Sequence, residues 1–158
     1  MLPSQEVLAA LFENAPRFVE RLANEEVASY EELLDRAEQI AALMPEDEQL
    51  ELIDGHPRIG AAPQTVSATS FREQGYDLDH GTTELQSRLD RLNEAYEAEF
   101  GFRFVIFVAG RPRTEIADAM EGRMLASREE ELERALSDVF LIARNRLDKL
   151  SRPLEEAR

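Results

Sequence analysis

Cysteine is absent from this chain of 158 residues, which excludes disulfides, thiol nucleophiles and thiolate metal sites and leaves packing to hold the fold. Lysine occurs once, at Lys149, and histidine twice, at His56 and His80. The remaining basic side chains are arginines, planar guanidiniums suited to carboxylates. With 33 Asp and Glu against 18 Lys and Arg, the formal net charge is -15, a surface that repels nucleic acid and anionic lipid. A small anionic substrate would need a local arginine to offset that repulsion. No apolar run approaches the ~20 residues of a membrane helix, and the N-terminus lacks the basic start and apolar stretch of a secretory signal. A cytoplasmic location is therefore expected. Also missing are GxGxxG, P-loop, HExxH and nucleophile-elbow sequences, and two histidines in unrelated contexts give no grounds for a metal site.

What is present is ordinary for a soluble protein: 43% hydrophobic and 32% charged residues, enough for one domain over residues 1–158 that buries about 70% of its unfolded surface. Helical periods dominate. Val7, Leu8, Leu11 and Phe12 share one face, and Phe18, Val19 and Leu22 continue after Pro16. Ser29 to Glu32 fits a capping box that opens a stripe of Leu33, Leu34, Ala37, Ile40, Ala41 and Met44. An acidic helix follows from Pro45 to Asp54. Thr83 to about Glu99, Thr114 to Met124 and a long segment from Ser127 complete the helical set, the last with Leu132, Ala135, Leu136, Val139, Phe140, Ile142, Ala143, Leu147 and Leu150 on its apolar face. The exception is residues 100–110, whose β-branched and aromatic content favours a buried strand by propensity. With no partner strand in view, a helix, an extended core segment or a missed sheet all remain open.

One residue, His56, carries the chemical reading. Gly55 is expected to end the acidic helix in the left-handed conformation, with His56 immediately after it and Pro57 holding the His56 backbone extended. The negative end of the helix dipole would favour a protonated imidazole, poised to donate a proton near neutral pH. A helix-end histidine that only caps carbonyls is the plainer alternative. Ser70-Phe71-Arg72-Glu73 reads as a capping box that places Gln74 in a first helical turn, so Glu73 on spacing alone merely starts a helix. His80, in the polar turn Asp77-Leu78-Asp79-His80-Gly81, reads as solvated surface.

The ordered motifs resemble one family. They are Phe12-Glu13-Asn14-Ala15-Pro16-Arg17-Phe18-Val19, His56-Pro57-Arg58-Ile59-Gly60, Ser70-x-x-Glu73-Gln74, Leu92-Asn93-x-x-Tyr96-x-x-x-Phe100-Gly101-Phe102-x-Phe104-Val105-Ile106, Gly110-Arg111-x-Arg113-x-Glu115-Ile116, and Ile142-Ala143-x-x-Arg146-Leu147. Each is weak alone; six in the same order and at similar spacings resemble the family of 2-oxo-4-hydroxy-4-carboxy-5-ureidoimidazoline (OHCU) decarboxylases, which complete the conversion of urate to (S)-allantoin. The resemblance implies an all-α multi-helix domain, a homodimer, and no metal or organic cofactor. It implies His56 as the catalytic proton donor, with Glu73 and Arg146 in the catalytic set. Pro57, Ser70 and Gln74 match substrate-contacting positions, and Phe104, Val105, Ile106, Phe107 and Val108 match the segment that approaches substrate through its backbone. Arg146 would hold an anionic group of a small ureide. After Gln74 the family commonly continues with small residues and leucine, where this chain has Gly75-Tyr76-Asp77. That departure keeps two further expectations in view: a non-catalytic helical binding or dimerisation protein on the same scaffold, and a decarboxylase or lyase for a related small carboxylate. A stand-alone bacterial enzyme is the overall expectation.

Overall fold

The computed structural model describes residues 1–61, 67–74 and 83–156. Among these the chain forms eight α-helices and no strand, the all-α class implied by the resemblance: α1 Gln5–Leu11, α2 Pro16–Leu22, α3 Tyr30–Leu43, α4 Glu46–Asp54, α5 Ala68–Glu73, α6 Thr83–Phe100, α7 Arg113–Arg123 and α8 Arg128–Glu156. His80 and the segment Gly75-Tyr76-Asp77 lie outside the described residues. Among the described residues no helix is long and apolar enough to cross a membrane.

The chain divides into two compact units, residues 1–55 with 136–158, and residues 56–135. In the first, α2 packs on α1, α3 and α4. Its core includes the mutually edge-on rings of Phe12, Phe18 and Phe140, with centroids 4.9 to 6.1 Å apart, the geometry that aromatic quadrupoles prefer. Ser29 caps α3 as expected, its hydroxyl accepting from the Glu32 N–H. Arginines tie α2 to α4: Arg17 donates to Asp47 and Glu51, and Arg21 to Glu48 through two bonds. These hold the Asp47 and Glu48 carboxyls below their usual range. A depressed carboxyl pKa stabilises the fold above the ordinary carboxylate range and ceases to do so as acid protonates it, and at the exposed Asp47 the contribution is small.

In the second unit, α6 packs on α7, and Tyr96 gathers Phe100, Phe102 and Phe104 around its ring at 4.6 to 5.9 Å. Ser127 caps α8, accepting from the Glu130 N–H. The apolar run after Phe100 is the extended core segment among the three expectations, since residues 103–108 are neither helix nor strand. Arginine side chains take up carbonyls that a sheet would otherwise have to satisfy: Arg128 donates to Phe100, Arg134 to Val105, and Arg111 to Phe107 and Val108. Propensity favoured a strand because these side chains suit burial on a pleated surface, and burial here is met without pleating.

Two local expectations are corrected. Gly55 ends α4 at φ -66° and ψ -16°, in the right-handed region, so its conformational freedom is not what the position uses. A Cβ there would lie 2.5 Å from the Glu13 carbonyl oxygen, so glycine is required for close approach of two backbones. The cap of α5 is Ser67, whose hydroxyl accepts from the Ser70 N–H. Ser70 therefore lies inside α5, Glu73 is its last residue, and Gln74 follows the helix rather than opening it. Overlapping Ser-rich capping signals three residues apart made the start of this helix ambiguous.

Candidate active site

The approach to His56 is set by the end of α4. The Gly55 N–H donates to the Glu51 carbonyl, and the Gly55 carbonyl accepts from Asn14 Nδ2 at 3.2 Å. Asn14 itself sits at φ 58°, a conformation that asparagine tolerates better than most residues. Short contacts thus fix the peptide that leads into the histidine.

His56 is only 7% exposed. The four residues after it form an irregular loop whose backbone groups must find partners outside regular structure. Arg103 Nη1 donates to the His56 carbonyl at 3.1 Å. Gln74 bridges the loop, its Nε2 donating to the Arg58 carbonyl at 3.3 Å and its Oε1 accepting from the Gly60 N–H at 3.0 Å. Asn93 Nδ2 donates to the Ile59 carbonyl at 2.9 Å and Gln86 Nε2 to the Gly60 carbonyl at 2.8 Å. The carbonyls of His56, Arg58, Ile59 and Gly60 are therefore all met by side chains. Gly60 has φ +80°, where an L side chain is strained, and a Cβ would come within 3.0 Å of Leu89. The Arg58 guanidinium pairs with Glu97. The result is a loop pinned at nearly every residue, the rigid support a proton-transfer group needs to hold its geometry.

Asn93 is 1% exposed, and because its second Nδ2 bond also goes to a carbonyl, that of Leu89, its amide orientation is dictated. Its Oδ1 has no hydrogen-bond partner among the described residues. A leucine at position 74 would strand one N–H and one C=O of the loop. Gln74→Leu is expected to cost about 1–3 kcal/mol, read as a lower melting temperature, with turnover falling alongside. An unchanged melting temperature would show that the bridge does not hold the loop.

Within the same unit, Ser70 is buried at 3% exposure, Glu73 is half-buried at the end of α5, and Pro57 is half-buried beside His56. The expected substrate-facing segment is Phe104, Val105, Ile106 and Val108, all buried, with Phe107 half-buried. Arg134 fixes it twice over, donating to the Val105 carbonyl at 2.9 Å and lying 4.9 Å from the Phe104 ring centroid. Arg134 is held in turn by Glu131, a fully buried carboxylate that also accepts from the Tyr96 hydroxyl at 2.7 Å. Burial, and then the bond to Glu131, push the Tyr96 phenol well above its ordinary range, so it remains a donor. Arg146 belongs to the other unit, on α8, buried to 3% exposure with Nη1 donating to the Leu11 carbonyl at 3.1 Å.

Sequence reasoning missed the supports: Gln86, Glu97 and Arg103, with Asn93 read only as part of the motif Leu92-Asn93-x-x-Tyr96. A signal for Asn93 was available. An amide among Leu89, Tyr96 and Phe100 at helical spacing is a buried polar group that must hydrogen-bond, and Gln86 and Glu97 share that face of α6. No such signal pointed to the loop groups these side chains hold, which lie 26 to 47 residues away in the chain.

The family model described as OHCU decarboxylase matches residues 4–148. A 2-oxo-4-hydroxy-4-carboxy-5-ureidoimidazoline decarboxylase of Haloferax volcanii is 30% identical over 138 residues, covering 87% of this chain and 82% of that protein. The uric acid degradation bifunctional protein PucL of Bacillus subtilis is 34% identical over 145 residues, covering 90% of this chain. The chain spans 29% of the length of that bifunctional relative. A crystal structure of an OHCU decarboxylase in the presence of (S)-allantoin superposes with a TM-score of 0.74 at 23% identity, covering 94% of this chain and 98% of that one, and shows that the fold is shared.

Proposed function

This chain belongs to the OHCU decarboxylase family, and from that premise we propose that it decarboxylates 2-oxo-4-hydroxy-4-carboxy-5-ureidoimidazoline to (S)-allantoin in urate degradation. The reading takes residues 1–158 as one functional domain, acting in the cytoplasm as a homodimer on a small anionic ureide.

The observation that carries it is the anchored loop: a buried histidine whose backbone is fixed on both sides, by Asn14 before it and by Arg103, Gln74, Asn93 and Gln86 from it onward. A histidine that merely capped a helix would need none of this. In the substrate, the carbon bearing hydroxyl and carboxylate adjoins a C=N bond. When the carbon–carboxylate bond breaks, CO2 leaves and the electron pair flows into that imine, so the substrate supplies its own electron sink and the reaction needs neither metal nor organic cofactor. One proton must then be delivered to the carbanion equivalent, and delivery from one face sets the hand of the product. His56 donates that proton. Glu73 accepts hydrogen bonds from ureido N–H groups, Arg146 holds an anionic group, and Pro57, Ser70 and Gln74 line the ligand. The apolar segment Phe104 to Val108 favours the charge-dispersed transition state over the localised carboxylate.

The test uses OHCU freshly generated from urate by urate oxidase and hydroxyisourate hydrolase, followed by circular dichroism with and without the protein. Consumption well above the spontaneous rate with an (S)-allantoin signal is expected. Decay at the spontaneous rate would reject the reading and favour the binding scaffold or another carboxylate.

A further inference from the structure

We propose that Glu97 is a positioning residue for His56, acting through Arg103. The inference rests on the reading of His56 as the proton donor. One carboxylate oxygen of Glu97 pairs with Arg58, two residues after His56, and the other lies 3.7 Å from Arg103 Nε. Arg103 then spends Nη1 on the His56 carbonyl. A single carboxylate on α6 thereby holds two guanidiniums that grip the histidine's loop from its side chains and from its backbone. Arginine suits this task because its donors form a rigid fork: Nε can face the carboxylate while Nη1 faces the carbonyl, so a shift of one is transmitted to the other.

Burial separates this role from a stabilising one. The side chains of Arg58 and Arg103 are 43% and 41% exposed and that of Glu97 23%, the range in which ion pairs add little to stability. A proton donor, by contrast, loses rate steeply when displaced by a fraction of an ångström to an ångström. The network therefore contributes little to the melting temperature and much to turnover.

The experiment compares Glu97→Gln, Arg103→Met, Arg103→Lys, His56→Ala and the double variant Arg103→Met/His56→Ala in the OHCU assay, with kcat, KM and thermal melting for each. Glu97→Gln and Arg103→Met are expected to lower kcat by about tenfold with KM changed less than about twofold. Their melting temperatures should stay within about 4 °C of wild type. Arg103→Lys, which can still donate to the His56 carbonyl, should recover a large part of the loss. In the His56→Ala background Arg103→Met should cost nothing further, because it acts through the missing side chain. Wild-type kcat in Glu97→Gln and Arg103→Met, a lysine no better than methionine, or an equal loss in the absence of His56 would each overturn the proposal. Wild-type turnover by His56→Ala would instead sink the reading of the site on which it rests.

Discussion

Glu131→Ala is expected to destabilise the protein by about 3–5 kcal/mol, lowering the melting temperature by on the order of 10 °C. Glu131 is completely buried and serves two partners, accepting from the Tyr96 hydroxyl and from Arg134 Nε. Removing it leaves a guanidinium in a site where little water reaches, and breaking one side of a buried pair costs far more than the pair is worth as a unit. The consequence extends beyond stability. Arg134 holds the Val105 carbonyl and covers the Phe104 ring, so the segment proposed to face substrate loses its anchor as well. Glu131→Gln keeps an acceptor for Tyr96 and fills the same volume, so it should retain more of both stability and turnover. A melting temperature within about 3 °C of wild type for Glu131→Ala would show that the triad is not the support described.

Gly55→Ala is the second large effect. The added methyl would meet the Glu13 carbonyl oxygen at 2.5 Å, and because that oxygen is backbone it does not yield as a flexible side chain would. Overpacking of this kind costs about 1–3 kcal/mol. Because His56 is the next residue, relief of the clash by movement of α4's end carries the imidazole with it. Turnover is expected to drop on the order of a hundredfold, more than the stability loss alone explains. Gly122→Ala provides the contrast, since that position lies inside α7 with nothing within 4 Å of the new Cβ. It should be stabilising by about 0.5–1 kcal/mol, as an exposed helical Gly→Ala change usually is. Paired thermal melts and kcat values decide between them; a Gly55→Ala protein with wild-type values in both would contradict the close approach.

These two positions also show what could be read from the amino-acid order. The helices announced themselves wherever local signals agreed: Ser29 and Ser127 cap α3 and α8 as their sequences imply, and the apolar stripes of both helices point inward except at Leu150, which is exposed. Gly55 was legible as necessary but not for the right reason, since the requirement comes from a carbonyl 42 residues earlier. Residues 103–108 were legible as core, yet their path depends on arginines at 111 and 134 donating to specific carbonyls, and no propensity contains that. The candidate catalytic residues came from motif order. Among their supports only Asn93, with Gln86 and Glu97 on its face of α6, left a helical signal; Arg103 and the loop groups that all four hold came only from three-dimensional placement, because hydrogen bonds across long sequence separations leave no periodic trace.

The most direct test of the central claim is the hand of the allantoin formed by His56→Ala, followed by circular dichroism beside wild type from the same batch of freshly generated OHCU. Delivery of the proton by His56 predicts a rapid (S)-allantoin signal with wild type, and a loss of about 10²-fold or more in rate with the variant, whose slowly accumulating product carries no net ellipticity while its melting temperature is preserved. An (S)-allantoin signal growing at the wild-type rate with His56→Ala would contradict the account.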